Sequence, residues 1–124
     1  MKIKTADLID AALDWVVIYA QCLEATEGKP ILARDLADIA LRNGAASATT
    51  DWSKGGPIIE RECIATYASG ACSVAPKNPD YWVAEILATE EMITQYGPTP
   101  LIAAMRCFVA SKLGDEVDVP DELV

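Results

Sequence analysis

The chain has 124 residues, 52% of them apolar and 23% charged, the size and composition of one globular domain with a single core. Nineteen acidic against ten basic residues give a net charge of −9, which opposes a phosphate backbone and excludes nucleic acid as the expected partner. With no histidine in the chain, His-dependent triads and His general bases are excluded.

A zinc site would have to gather several of Cys22, Cys63, Cys72 and Cys107, none of which stands in CxxC spacing. Reduced, structural thiols are expected, with no metal and no cofactor. Asp115, Glu116, Asp118, Asp121 and Glu122 crowd the last ten residues as an acidic tail. A DNA mimic would instead spread its carboxylates over the whole surface.

At the N-terminus, Asp7, Asp10 and Asp14 interrupt every apolar run that a signal peptide would need. No segment reaches the length of a membrane span, and the expected location is the cytosol. Thr5 offers an N-cap, after which Ile9, Ala12, Leu13, Val16, Val17, Ala20 and Leu23 recur at helical spacing until Gly28 and Pro30. That pattern predicts a first helix.

A shorter second helix is predicted over 31–41, with Ile31, Leu32, Leu36, Ile39 and Ala40 as its apolar residues and Asn43-Gly44 as its stop. The run AASATTDWSKGGP reads as a loop, with Pro57 opening a short helical turn that carries Ile58 and Ile59. Cys63 to Tyr67 is read as a strand. The turn-rich SGACSVAPKNPD separates it from a second strand, Tyr81 to Leu87, antiparallel to its neighbour.

Thr99 and Pro100 start the last helix, on which Leu101, Ile102, Met105, Phe108, Val109 and Leu113 form one face before Gly114. The fold class expected is α+β. A small antiparallel sheet is covered by the N-terminal and C-terminal amphipathic helices, in one domain over 1–124.

The segment Asp51 to Pro57 joins a glycine pair, Gly55 and Gly56, to Trp52 and Lys54, with Arg61 following. Glycines let a backbone approach a ligand, helix starts attract anions, and an indole stacks on flat rings. Asp51, Trp52, Lys54, Gly55, Gly56 and Arg61, with Thr99 and Arg106 at the start of the last helix, therefore form a candidate site for a phosphate-bearing ligand. The alternative is structural: a tight turn with Trp52 in the core, Arg61 paired with Glu60 or Glu62, and Arg106 paired with Glu85 or Glu90. Lys112 reads as a complement to the helix dipole. Neither GxxxxGK[ST] nor GxGxxG is present. No catalytic set emerges, since carboxylate pairs such as Asp51 with Glu60 are expected from composition alone.

The segments KTADLIDAALDW, TTDWSKGGPIIERE (Thr49 to Glu62) and YGPTPLIAAMRCFVASKLGDEV (Tyr96 to Val117) resemble the NinX-like proteins of lambdoid phages and prophages, accessory proteins of unknown function. The resemblance implies a phage protein working in the host bacterial cytoplasm and supplies no reaction. Three functions are expected candidates. The chain sequesters an anionic, nucleotide-like molecule of host defence, or it inhibits a host or phage enzyme by direct binding, or it is a metal-assisted phosphoester hydrolase. A small sheet leaves unpaired edges, so a homo-oligomer is expected as well.

Overall fold

The computed structural model describes residues 1–44, 48–69, 81–88 and 90–123. Cys72 and almost all of the turn-rich run before Tyr81 lie outside the described residues. The elements are β1 (Lys2–Lys4), a 3-10 turn (Thr5–Asp7), α1 (Asp10–Ala25), α2 (Pro30–Arg42), α3 (Trp52–Glu62), β2 (Ala65–Ala68), β3 (Trp82–Ala88), β4 (Glu91–Gly97), α4 (Pro100–Leu113), β5 (Glu116–Asp118) and a closing turn (Asp121–Leu123). No helix among the described residues is long and apolar enough to cross a membrane.

The fold is α+β, with two antiparallel sheets. One has three strands in the order β2-β3-β4; the other pairs β1 with β5 and so joins the two ends of the chain. In the larger sheet Tyr67 stands opposite Val83, which stands opposite Tyr96; Glu85 stands between Ala65 and Thr94. Directly opposed residues share a face of a sheet, so this register fixes which side chains gather.

α4 lies on β3 and β4 and also meets α1 and α3. Leu101, Met105, Phe108 and Val109 are buried as expected, and Ala103, Ala104, Cys107 and Ala110 are buried too. The helix is enclosed nearly all round because small residues on its remaining sides let its neighbours close in. Trp15, Leu13, Val16, Val17 and Leu8 complete the core from the N-terminal side.

Four local readings are corrected. Thr5 does not cap α1, which begins at Asp10 with Ile9 as its N-cap. The Thr5 hydroxyl donates to the Gly114 carbonyl at 2.6 Å, and its N–H donates to the Asp115 carbonyl at 2.7 Å. These bonds extend the joining of the termini beyond β1 and β5.

α2 has nearly its expected span but not its expected orientation. Ala33 and Ala37 face α1, and Ile31, Leu32, Leu36 and Ile39 are exposed. Alanines on the contact line bring the two helix axes close together, and the larger aliphatics are left outside.

α3 begins at Trp52 rather than at Pro57, because the Asp51 carboxylate accepts from the Ser53 N–H at 2.9 Å and so caps the helix five residues earlier. Pro57 then lies inside the helix. A Cβ on the residue before a proline disfavours helical backbone, and glycine at position 56 has none. Lastly, the strand read from Cys63 starts at Ala65, since Cys63 ends α3 in the left-handed region at φ 55°.

Candidate functional site

The start of α3 is held from below. Thr49, just upstream, donates its N–H and hydroxyl to the Asp14 carboxylate of α1 at 3.2 and 2.8 Å. Asp51 accepts from the Ser53 hydroxyl as well, at 2.6 Å, and these bonds hold its carboxyl below the usual pKa range. The Asp51 carboxylate is thus occupied as a cap.

Gly55 is buried against the neighbouring helix. A Cβ on it would lie 2.5 Å from the Leu101 Cδ1 of α4 and would strike the Ala48 carbonyl oxygen. The segments around Gly55 and Leu101 therefore do meet, and they meet by packing. Gly56 has open space around its Cβ position.

The remaining residues of the constellation diverge. Trp52 is 54% exposed, and Lys54 and Arg61 are exposed. At about 100° per residue, Trp52 and Arg61 stand on opposite sides of α3 and roughly 13 Å apart along its axis. Lys54 and Arg61, seven residues apart, share one side.

Arg61 Nε reaches the Glu62 carboxylate at 3.4 Å, a pairing the structural alternative anticipated. Glu62 lies 3.5 Å from Lys112 Nζ, which pairs with Glu24 at 2.8 Å. Lys112 thus links α1, α3 and α4, and the hydrogen bond it donates to Glu24 raises its pKa.

Thr99 Oγ1 accepts from the Ile102 N–H at 3.1 Å and caps α4. Arg106 donates Nε to the Leu8 carbonyl at 2.8 Å and a terminal nitrogen to the Tyr96 carbonyl at 2.7 Å. Its partners are backbone carbonyls rather than Glu85 or Glu90, and they pin the N-terminal turn and the end of β4 to α4.

The described clefts run elsewhere. One of about 600 Å³ lies among Lys4, Ala6, Gln95, Asp115 and Glu116. Others follow the seam between α2 and the acidic tail, around Arg34, Asp38, Asp118 and Glu122. In that seam Arg34 sits 5.2 Å from the centre of the buried Trp15 ring, and the Trp15 indole N–H donates to Asp38 at 2.8 Å. None of these clefts is lined by the eight residues of the sequence constellation.

Among the described residues, no group of three or more Cys, Asp or Glu is placed to hold a metal ion. Cys22, Cys63 and Cys107 are free thiols. Burial pushes the Cys107 thiol up to about 12.

A second surface escaped the sequence reading. Tyr67, Val83 and Tyr96 form a row across the three strands on the face turned away from α4. Tyr81 packs edge-on against Tyr96, ring centres 5.5 Å apart, and Leu87 and Met92 continue the apolar surface beyond Glu85. The Tyr67 hydroxyl donates to the Glu85 carboxylate at 2.6 Å, which raises the tyrosine's pKa. All three tyrosines, Leu87 and Met92 are exposed. The alternation of Tyr81, Val83, Glu85 and Leu87 was its one sequence signal; the contributions of Tyr67 and Tyr96 depend on register.

No curated protein matches the chain closely enough to count as a relative. The family model described as Bacteriophage P22, NinX matches residues 4–112, which takes in α1 to α3, all of the larger sheet and α4 except its last residue, and the chain belongs to that family.

Proposed function

We propose that the chain is a phage accessory protein acting in the cytoplasm of the host by direct binding to another protein, through the tyrosine face of β2, β3 and β4. The observation that carries this reading is the row Tyr67, Val83, Tyr96, flanked by the exposed Tyr81, Leu87 and Met92 on the sheet face opposite the one that α4 covers. Tyrosine and methionine are enriched at protein interfaces, tyrosine because its rigid ring buries a large area at low entropic cost.

Glu85 stands within this face, its carboxylate oriented by the Tyr67 hydroxyl, and the whole chain carries −9. The fitting partner is a basic protein surface that sets a lysine or arginine against Glu85 and apolar groups against the tyrosines.

A photo-crosslinking residue at position 67 or 96, introduced into the protein during infection, tests this. One host or phage polypeptide of basic pI is expected to crosslink in stoichiometric amount and to be lost in Glu85→Lys. A crosslinked partner that persists unchanged in Glu85→Lys, or none at all, overturns the reading.

Sequestration of a nucleotide-like anion is the second reading, supported by the exposed Trp52 indole. It ranks lower because the Asp51 carboxylate holds the α3 N-cap, where a phosphate would otherwise sit, and because Trp52 and Arg61 face apart. Calorimetry against cyclic di- and trinucleotides and cyclic ADP-ribose isomers tests it. Binding that Trp52→Ala weakens by about 1–3 kcal/mol would place this reading first.

A further inference from the structure

We propose that the exposed aliphatic stripe of α2 is a homodimer interface, with the same helix of a second copy packed antiparallel on it. The stripe consists of Ile31, Leu32, Leu36 and Ile39, with Ile31 80% and Ile39 50% exposed. On a helical wheel Leu32, Leu36 and Ile39 fall within about 60° of one another, and Ile31 extends the patch in the first turn.

α2 needs a second contact surface. Its fully buried residues are two alanines, Ala33 and Ala37, and a helix of 13 residues is marginal on propensity alone. It packs on the core through these methyl groups and the partly buried Leu41, and Ile31, Leu32, Leu36 and Ile39 are left in water.

Charge selects a second copy as the occupant. Between Lys29 and Arg42 stand Lys29, Arg34 and Arg42 against only Asp35 and Asp38. This stretch is therefore slightly positive on a chain of −9, so two copies meeting there keep most of their acidic residues out of the contact.

The stripe is also self-complementary. Asp35 and Arg42 are exposed, lie on the same edge of the helix seven residues apart, and make no ion pair among the described residues. In an antiparallel pair that edge of one copy runs along the same edge of the other, so Asp35 of each comes within reach of Arg42 of its mate. The twofold then falls midway between positions 35 and 42, with Leu36 and Ile39 of both copies interdigitating at the centre and Leu32 lying toward the two ends. A twofold doubles this apolar patch, giving the centre of a small isologous interface.

Sedimentation velocity from low micromolar to millimolar protein tests the proposal. The wild-type chain is expected to sediment at twice its 13.3 kDa, and Ile39→Glu and Leu36→Glu each to sediment as monomers with unchanged circular dichroism, since both positions are exposed. Asp35→Arg and Arg42→Asp should each weaken the dimer by tenfold or more, and together restore it. A wild-type monomer at millimolar concentration overturns the proposal. So does a dimer that either glutamate variant leaves intact, or a charge-swapped double variant weaker than both singles.

Discussion

Gly55 of α3 and Leu101 of α4 touch so closely that a methyl group on the glycine would stand 2.5 Å from the leucine Cδ1. The same methyl would strike the Ala48 carbonyl, a backbone atom with little freedom to yield. This contact joins two of the segments that suggested the family, and it explains one glycine of the pair without a ligand. Gly55→Ala is expected to destabilise the fold by about 1–3 kcal/mol despite the better helix propensity of alanine. Urea unfolding measures it; an unchanged midpoint would mean that α3 sits farther from α4 than described.

Pro57 presents the opposite case. It is exposed and lies within α3, where its missing N–H leaves the Ser53 carbonyl without its helical donor. Pro57→Ala is expected to raise stability by about 1–2 kcal/mol, after allowance for the looser unfolded chain. A lower melting temperature would contradict this.

Arg106 holds two carbonyls from separate elements with one planar fork. Arg106→Ala should cost about 2–3 kcal/mol by chemical denaturation, the scale of charge-assisted bonds lost from a partly buried site. Lysine cannot span both carbonyls in the same way, so Arg106→Lys should recover less than half. Full recovery would show that charge alone, and not the fork, matters there.

Met105 is completely buried in α4. Met105→Ala is expected to cost about 2–5 kcal/mol through lost transfer energy and the cavity left behind. Equilibrium unfolding should show the loss at an unchanged m-value; a neutral result would remove Met105 from the core.

Cys107 supplies a pH test. Its folded pKa, pushed up to about 12 by burial, lies above the ordinary thiol value of 9.0, so the folded chain retains a proton that the unfolded chain releases. Its contribution to stability is complete below about pH 9 and is lost as pH rises toward 12. Cys107→Ala should flatten the alkaline fall in stability. At neutral pH a thiol reagent followed by peptide mass spectrometry should label the exposed Cys63 quickly and Cys107 only after unfolding. Rapid labelling of Cys107 in the native chain would refute its burial.

Periodicity and punctuation carried the long elements. In α1 and α4 the apolar spacing is helical, and Thr99, Pro100 and Gly114 mark the limits of α4 in the sequence as in the structure. These are local effects, each decided by a few neighbouring residues. The Asp51 cap is equally local, but Pro57 carries the stronger helix-start signal in the sequence and masks it.

The orientation of α2 was beyond any local rule, because whether leucines or alanines face α1 depends on how near the two helices come. Likewise β1 and β5 are three residues each, and each is a strand only because the other lies beside it. β4 carries no clean alternation, with Met92, Thr94 and Tyr96 outward and Ile93 and Gln95 inward.

The candidate surfaces divide in the same way. Residue type and spacing made Trp52, the glycine pair and Arg106 conspicuous, but tertiary packing turned Gly55 and Arg106 into structural contacts, and the helix that starts at the Asp51 cap sets Trp52 and Arg61 on opposite sides. Tyr67, Glu85 and Tyr96 come together only through strand register, which depends on the pairing of segments distant in the chain. A sequence read along one dimension carries that pairing only weakly.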